Sequence, residues 1–128
     1  MVTEVEIELP LGWPGTRPEF LVYRALEGLG YKAGLDFDYQ SSQQGGRSER
    51  GGSILDFYIP SLNLGINVQS VYWHYGRPEQ VMRDEFQRES LEAQGIRVVY
   101  LDENDILRNA RFYVQQALQG NDFSRMTR

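Results

Sequence analysis

Three polar side chains interrupt two apolar runs in the middle of the chain, namely Asp56, Asn67 and Gln69. A carboxylate and two carboxamides at this spacing can bind a cation or hydrogen-bond to one another. Burying such groups without partners costs on the order of 1–3 kcal/mol each, so the formation of an apolar core does not explain their presence. We therefore take these three residues as the candidate site, with a hydrogen-bonded network inside a sheet as the alternative.

The runs that carry these residues predict a β-hairpin, because apolar and β-branched residues are bounded by glycine and proline. A tight turn over Pro60–Asn63 places Asp56 opposite Asn67 and Ile54 opposite Gln69. Side chains alternate between the faces of a strand, so the three polar residues share one face. The predicted strands are Ser53–Ile59 and Leu64–Gln69, and the apolar face of the second is formed by Leu64, Ile66 and Val68.

The composition indicates one globular domain over residues 1–128, with 41% hydrophobic residues. There is no cysteine and only one histidine, His74, which excludes thiolate zinc sites and multi-histidine metal sites within one chain. A net charge of −5 argues against a protein that coats nucleic acid non-specifically. No apolar run approaches the roughly 20 residues of a membrane span and no signal-peptide pattern is visible. Our expectation for the localisation is the cytoplasm, of a bacterial or phage-infected cell.

The first predicted helix supplies a second acidic candidate. Thr16 is followed three residues later by Glu19, with Pro18 between them, and this capping box predicts a helix that begins at Arg17. Glu19 is either a capping residue alone or an acid that also reaches the hairpin. Before the helix, the alternation over Val2–Leu9 predicts an exposed edge strand, or a solvated arm, within residues 1–15.

Two further segments flank the hairpin. Leu35–Tyr39 alternates as a strand and is followed by a glycine-rich loop, Gln40–Gly52. In this loop Arg47 and Arg50 either contact phosphates or are simply solvated. After the hairpin, the aromatic residues of Tyr72–Tyr75 either stack on bases or pack in a core or interface.

The second half of the chain predicts a βαβ unit. A helix over Arg77–Gln94, with Val81, Phe86 and Leu91 on one face, leads to the strand Ile96–Leu101, a pattern typical of a parallel strand pair. The fold class is therefore α/β, an α+β mixed sheet flanked by helices. The remaining expectations are a helical turn from Asp102 or Asn104 to Leu107, a helix over Ala110–Leu118 and a frayed tail over residues 121–128.

From Glu19 to Leu107 the order of elements and acidic residues resembles the PD-(D/E)XK nuclease superfamily, and more narrowly its very-short-patch-repair endonuclease-like branch. The resemblance implies a restriction-endonuclease-like core and a Mg²⁺ or Mn²⁺ site. Asp56 in the string LDFYIP matches the metal-binding Asp of the family, and Glu19 stands where the first-helix acid is expected. His74 falls near the family His, and Asp84 matches the Asp of the following helix.

The chain departs from the family pattern at positions that carry catalysis. Asn67 occupies the Glu position, and Gln69 occupies the position of the third acidic or lysine residue. Gln87 stands at the family Arg, with Arg88 beside it. Catalytic Mg²⁺ requires hard, anionic oxygen ligands, and the only lysine, Lys32, lies at the end of the first predicted helix. The resemblance therefore implies a degenerate active site.

The expected function is that of a nuclease-fold protein that engages DNA with lost or reduced catalysis. Two alternatives stay open. One is an active Mg²⁺- or Mn²⁺-dependent DNA endonuclease with a rearranged site, and the other is a phage or mobile-element interaction protein, as a homodimer or with a protein partner, without DNA binding. The candidate catalytic residues are Asp56, Glu19, His74 and Gln69, the candidate metal ligands are Asp56, Glu19 and Asn67, and the candidate nucleic-acid contacts are Arg47, Arg50, Trp73 and Arg88.

Overall fold

The chain forms a four-stranded mixed sheet flanked by three helices, in a computed structural model that describes residues 8–43, 53–70 and 77–126. This arrangement confirms the predicted mixed α/β class. In chain order the elements are α1 (Arg17–Gly28), β1 (Asp38–Gln43), β2 (Ser53–Ile59), a 3₁₀ turn (Pro60–Leu62), β3 (Leu64–Gln69), α2 (Pro78–Glu92), β4 (Arg97–Asp102) and α3 (Glu103–Leu118).

Helix α1 begins at the predicted capping box. The Thr16 hydroxyl accepts a hydrogen bond from the Glu19 backbone N–H (3.3 Å), and Glu19 Oε1 accepts one from the Thr16 N–H (3.4 Å). These two bonds satisfy amide groups that have no partner inside the helix. The buried face of α1 consists of Pro18, Phe20, Val22 and Leu26.

The strand order is β1-β2-β3-β4, with β1, β2 and β3 antiparallel and β4 parallel to β3. The 3₁₀ turn ends at Asn63, whose backbone is left-handed (φ 49°), a conformation that asparagine tolerates better than most residues. Phe57 pairs with Ile66 and Ile59 with Leu64, which is the register predicted from the turn. The parallel pairing of β3 with β4 across α2 is also as predicted.

Separate apolar cores cover the two faces of the sheet. In β4, Val99 and Leu101 face the core under α1 and α3, while Val98 and Tyr100 face the smaller core under α2. Helix α2 contributes one fully buried side chain, Leu91. Phe86, predicted to share its buried face, is 75% exposed, so Leu91 is the residue of that predicted face that packs into the smaller core.

Strand β1 begins later than the sequence predicts. The predicted strand Leu35–Tyr39 starts instead with a turn, in which the Asp36 carboxylate accepts a hydrogen bond from the Lys32 N–H (2.8 Å) and Leu35 remains 74% exposed. The strand then continues to Gln43, into the segment predicted to be a loop. The local hydrogen bond of Asp36 stabilises a turn at residues that alternate as a strand in the sequence, because such side-chain bonds compete with strand pairing.

The C-terminal segment Asn121–Met126 is anchored, which corrects the prediction of a frayed tail for these residues. Asp122 Oδ2 accepts a hydrogen bond from the Tyr100 N–H (2.9 Å), and Asp102 Oδ2 accepts one from the Arg125 N–H (3.1 Å). The physical reason is that β4 lies at the edge of the sheet, where its amide groups need partners.

Helix α3 joins the two helical segments that were predicted separately. Its backbone leaves helical geometry at Asn109 (φ −162°, ψ 80°), between the predicted turn and the predicted last helix. The Asn109 side chain accepts a hydrogen bond from the Phe112 N–H (3.1 Å), as a capping residue does. The predicted boundary between the two helical segments is therefore a kink at Asn109 within one helix.

Some predictions fall on residues outside the described ranges. Most of the predicted strand Val2–Leu9 belongs to residues 1–7, and the described Glu8–Pro10 form no strand. Among the described helices, none has both the length and the apolar character needed to cross a bilayer.

Candidate functional site

Asp56 and Asn67 face each other across the hairpin, as predicted, and join β2 to β3 through their side chains. The Asp56 N–H donates to Asn67 Oδ1 (2.7 Å), and the Val68 N–H donates to Asp56 Oδ2 (2.8 Å). Within residues 53–70 the backbone pairs between these strands end at Phe57. The predicted Ile54–Gln69 pair is therefore not formed, because the two side chains replace the backbone ladder at this point.

The ladder is also interrupted on the other side of Asp56, toward β1. Tyr39 pairs with Phe57 and Ser41 with Leu55, whereas Gln40, between them, adopts a left-handed backbone (φ 58°). Leu55 and Phe57 are only two residues apart, yet they belong to the cores on opposite faces of the sheet. Asp56 thus occupies a local irregularity, a feature common next to active sites.

Glu19 is held close to this irregularity by Tyr39. The Tyr39 hydroxyl donates a short hydrogen bond to Glu19 Oε1 (2.6 Å), and Trp13 stacks on the Tyr39 ring with centroids 4.8 Å apart. A side chain at Gly15 would collide with both the Tyr39 hydroxyl and the Glu19 carboxylate. Glu19 therefore serves as a capping residue and also faces the hairpin, so the two sequence interpretations of this residue are compatible.

The charges of this cluster act on Asp56. Burial is the main cause that raises the pKa of Asp56 from 3.8 to about 7, and the carboxylates of Glu19 and Asp84 raise it further, while the Val68 N–H opposes them. Burial and the bond to Glu19 also raise the pKa of Tyr39 above its usual value. The Asp56 carboxyl group therefore titrates near neutral pH.

Of the other residues predicted for the site, Asn67, Gln69 and Arg88 lie within the described ranges. Asn67 is buried with 9% exposure, and Gln69, at the end of β3, is half-buried and pairs in register with Asp102 of β4. Arg88 lies over the Tyr100 ring, 5.3 Å from its centroid, so the structure places its guanidinium on the α2 side of the sheet. Arg47, Arg50, Trp73 and His74 lie outside the described residues.

Asp84 occupies the side of the sheet that α2 covers. Its carboxylate accepts a hydrogen bond from Gln80 Nε2 (3.1 Å), and its backbone carbonyl accepts one from the Tyr100 hydroxyl (3.0 Å). Its charge nevertheless reaches Asp56. Asp84 is therefore an electrostatic neighbour of the site.

The oxygens that could hold a cation are few. One oxygen of Asp56 accepts the Val68 N–H, and the Asn67 carboxamide oxygen accepts the Asp56 N–H. Within the described part of the chain, Oδ1 of Asp56 and Oε2 of Glu19 remain as the oxygens of these two carboxylates that a cation could approach. Across the described ranges, no three His, Cys, Asp or Glu side chains are grouped so that they could hold a metal ion. The residues present thus fit at most a weakly held divalent cation.

Sequence reasoning missed Tyr39 and Gln40 as members of the site. Both lie on β1, whose pairing with β2 follows a glycine-rich connection rather than a tight turn, so its register cannot be read from the sequence. The available signal was the aromatic residue at the end of the alternating string LDFDY. A comparison of the chain with protein-family models, curated proteins and solved structures found no match.

Proposed function

We propose that this chain is a nuclease-fold protein that engages DNA and whose catalysis is lost or much reduced. The observation that carries the proposal is the reciprocal link between Asp56 and Asn67 in the middle of the hairpin. In the nuclease family that the sequence resembles, carboxylates are expected at both of these positions. Here each side chain accepts a hydrogen bond from the backbone of the opposite strand.

The order of elements supports the nuclease kinship. A helix that carries an acid precedes three antiparallel strands, and a helix and a parallel strand follow. Asp56 lies on the second strand, and Asn67 and Gln69 lie on the third. This is the order that the sequence resemblance implies, with the acidic residue of α1 turned toward the hairpin.

The chemistry of the cluster supports reduced catalysis. Metal-assisted phosphodiester hydrolysis uses carboxylate oxygens to hold Mg²⁺, which orients and activates water. Asn67 is neutral, and its carboxamide oxygen is already engaged by the Asp56 N–H. A lysine cannot supply the missing charge at Gln69, because the only lysine, Lys32, lines a separate cavity beside Glu27.

The proposal is tested by measuring binding and cleavage separately. We expect the chain to bind a labelled DNA duplex at low salt and to nick supercoiled plasmid with Mg²⁺ or Mn²⁺ little faster than the buffer does. The double substitution Asn67→Glu with Gln69→Lys restores the family pattern and should raise nicking, and adding Asp56→Asn should abolish the gain. Asn104→Glu with Gln115→Lys, at two exposed positions of α3, adds the same pair of charges away from the site and serves as the control. No affinity for DNA at low salt would remove the proposal.

A second candidate, an active endonuclease with a rearranged site, is favoured by the pair of Asp56 and Glu19. The Glu19 carboxylate helps to raise the pKa of Asp56, and a divalent cation held between the two groups would favour the charged form of Asp56. Calorimetric titration with Mn²⁺ tests it, with Asp56→Asn as the comparison. Metal-dependent nicking by the wild type that Asp56→Asn abolishes would favour this candidate over a degenerate site. Nicking that Asp56→Asn leaves unchanged would reject this site.

A further inference from the structure

A small cleft between α3 and the C-terminal segment exposes aromatic rings. Its volume is about 200 Å³, and it is lined by Asp105, Arg108, Phe112, Tyr113 and Phe123. Phe112 and Phe123 are 43% and 42% exposed, so the two rings are not part of a closed core. Pockets for drug-sized ligands span roughly 300–1,000 Å³, and this smaller cleft suits one planar ring system.

The rings of the cleft offer stacking surfaces. The centroids of Phe112 and Phe123 are 6.5 Å apart, and their planes differ by 23°. Tyr113 meets Phe112 edge-on, at a centroid distance of 5.0 Å. Part-exposed aromatic faces of this kind stack on nucleic-acid bases, because every base has a π-face.

Both phenylalanines stand on anchored backbone. Asn109 caps the second half of α3 by accepting a hydrogen bond from the Phe112 N–H (3.1 Å). Next to Phe123, Asp122 Oδ1 accepts a hydrogen bond from the Ser124 N–H (2.8 Å), and Ser124 is buried with 1% exposure. A ligand that stacks here orders little backbone, which lowers the entropic cost of binding.

Arg108 places a positive charge at the rim of the cleft. Its Nη2 donates to Asp105 Oδ1 (2.7 Å) and to the Tyr113 hydroxyl (3.0 Å), and these two bonds fix the plane of the guanidinium. Nε and Nη1 remain as donors, on a side chain that is 64% exposed. An oriented guanidinium beside an aromatic surface is suited to a phosphate group.

We propose that this cleft binds one unpaired nucleotide, with the base against Phe112 and Phe123 and the phosphate on Arg108. The inference rests on the proposed DNA engagement and adds the element that is recognised. A base inside a duplex is stacked on both faces, so away from a duplex end only an unpaired base presents a face to these rings. The nucleotide belongs either to a single-stranded segment of DNA or to the free pool.

The experiment uses the full chain and fluorescence anisotropy with a labelled oligothymidylate, a blunt duplex and unlabelled dTMP as competitor. We expect Phe112→Ala and Arg108→Gln to weaken single-strand binding roughly tenfold. Arg108→Gln should also lower the slope of log affinity against log salt by about 0.7. The controls are Phe86→Ala, at an exposed ring on α2, and Arg24→Gln, which removes an exposed arginine paired with Glu27 three residues away, as Arg108 is paired with Asp105.

The outcomes separate this inference from the proposed function. Duplex binding without single-strand binding, or single-strand binding that neither Phe112→Ala nor Arg108→Gln weakens, overturns the nucleotide cleft and leaves DNA engagement standing. Controls that weaken binding as much as the cleft substitutions also overturn it. Absence of binding to either DNA removes both proposals. Loss confined to the cleft variants supports the cleft, and competition by dTMP at a similar nucleotide concentration identifies the free nucleotide as its source.

Discussion

Replacing Asp56 by asparagine should remove a pH dependence of stability that this carboxyl group imposes. In the folded chain, burial and the neighbouring carboxylates raise the pKa of Asp56 from 3.8 to about 7. In the unfolded chain an aspartate titrates near its ordinary value of about 3.9. Between these two values the unfolded chain has released a proton that the folded chain still holds. The free energy of unfolding therefore falls as the pH rises from about 4 to about 7, and the loss levels off above the folded pKa.

The magnitude follows from the separation of the two pKa values. At about 1.4 kcal/mol for each pH unit between them, the Asp56 carboxyl lowers the free energy of unfolding by roughly 4 kcal/mol once the pH is above 7. Asparagine has the same shape, and its carbonyl oxygen can still accept the hydrogen bond that Val68 donates to Asp56 Oδ2. We therefore expect Asp56→Asn to match the wild type near pH 4 and to be more stable by up to about 4 kcal/mol near pH 8.

The measurement is urea unfolding followed by circular dichroism, at constant ionic strength, for both proteins across this pH range. The difference between their free energies of unfolding isolates Asp56 from the other titrating groups. Asp38→Asn, which removes an exposed carboxylate from β1, controls for the change in net charge. A difference that stays constant from about pH 4 to about pH 8 would refute the reasoning, because a carboxyl with an ordinary folded pKa adds no slope in that range.

Three further substitutions probe the fold. Gly65→Ala should lower the free energy of unfolding by about 1–3 kcal/mol, since its Cβ would lie 2.6 Å from Leu55 Cδ1; chemical unfolding measures this, and an unchanged midpoint contradicts it. Asp122→Ala should cost about 1–3 kcal/mol and speed hydrogen exchange at the Tyr100 amide, its backbone donor; retained protection of that amide counts against the assignment. Leu91→Ala should lower the free energy of unfolding by about 2–5 kcal/mol, because Leu91 is the one buried residue of α2. A smaller loss in chemical unfolding would mean that other contacts hold α2 on the sheet.

The hairpin was predictable because its information is local. Pro60 and Asn63 bound the turn, and a short turn determines which residues oppose each other. The opposition of Asp56 and Asn67 followed directly from that register. What the pattern could not show is that their side chains would hydrogen-bond to the strands themselves, which depends on the geometry of both strands at one point.

Other features depend on partners that are distant in the sequence. Tyr39 reaches Glu19 only after β1 has paired with β2, and the long glycine-rich connection leaves that register open. Asp122 lies in a short polar segment that is typical of a tail, yet its partner is a backbone amide of an edge strand 22 residues earlier. The polar composition of this segment does not indicate a partner so distant in the sequence, so its anchoring was not predictable.

The way in which the C-terminal segment closes the edge of β4 has a consequence for shortened forms of the protein. Asp122 and Arg125 connect the segment to Tyr100 and Asp102 of that strand. A chain cut after Gly120 would leave the Tyr100 amide without its acceptor, on a strand whose neighbouring residues are apolar. An uncovered strand of this kind is a template for pairing with another copy. Truncation at this point should therefore expose the β4 edge to pairing with another copy of the chain.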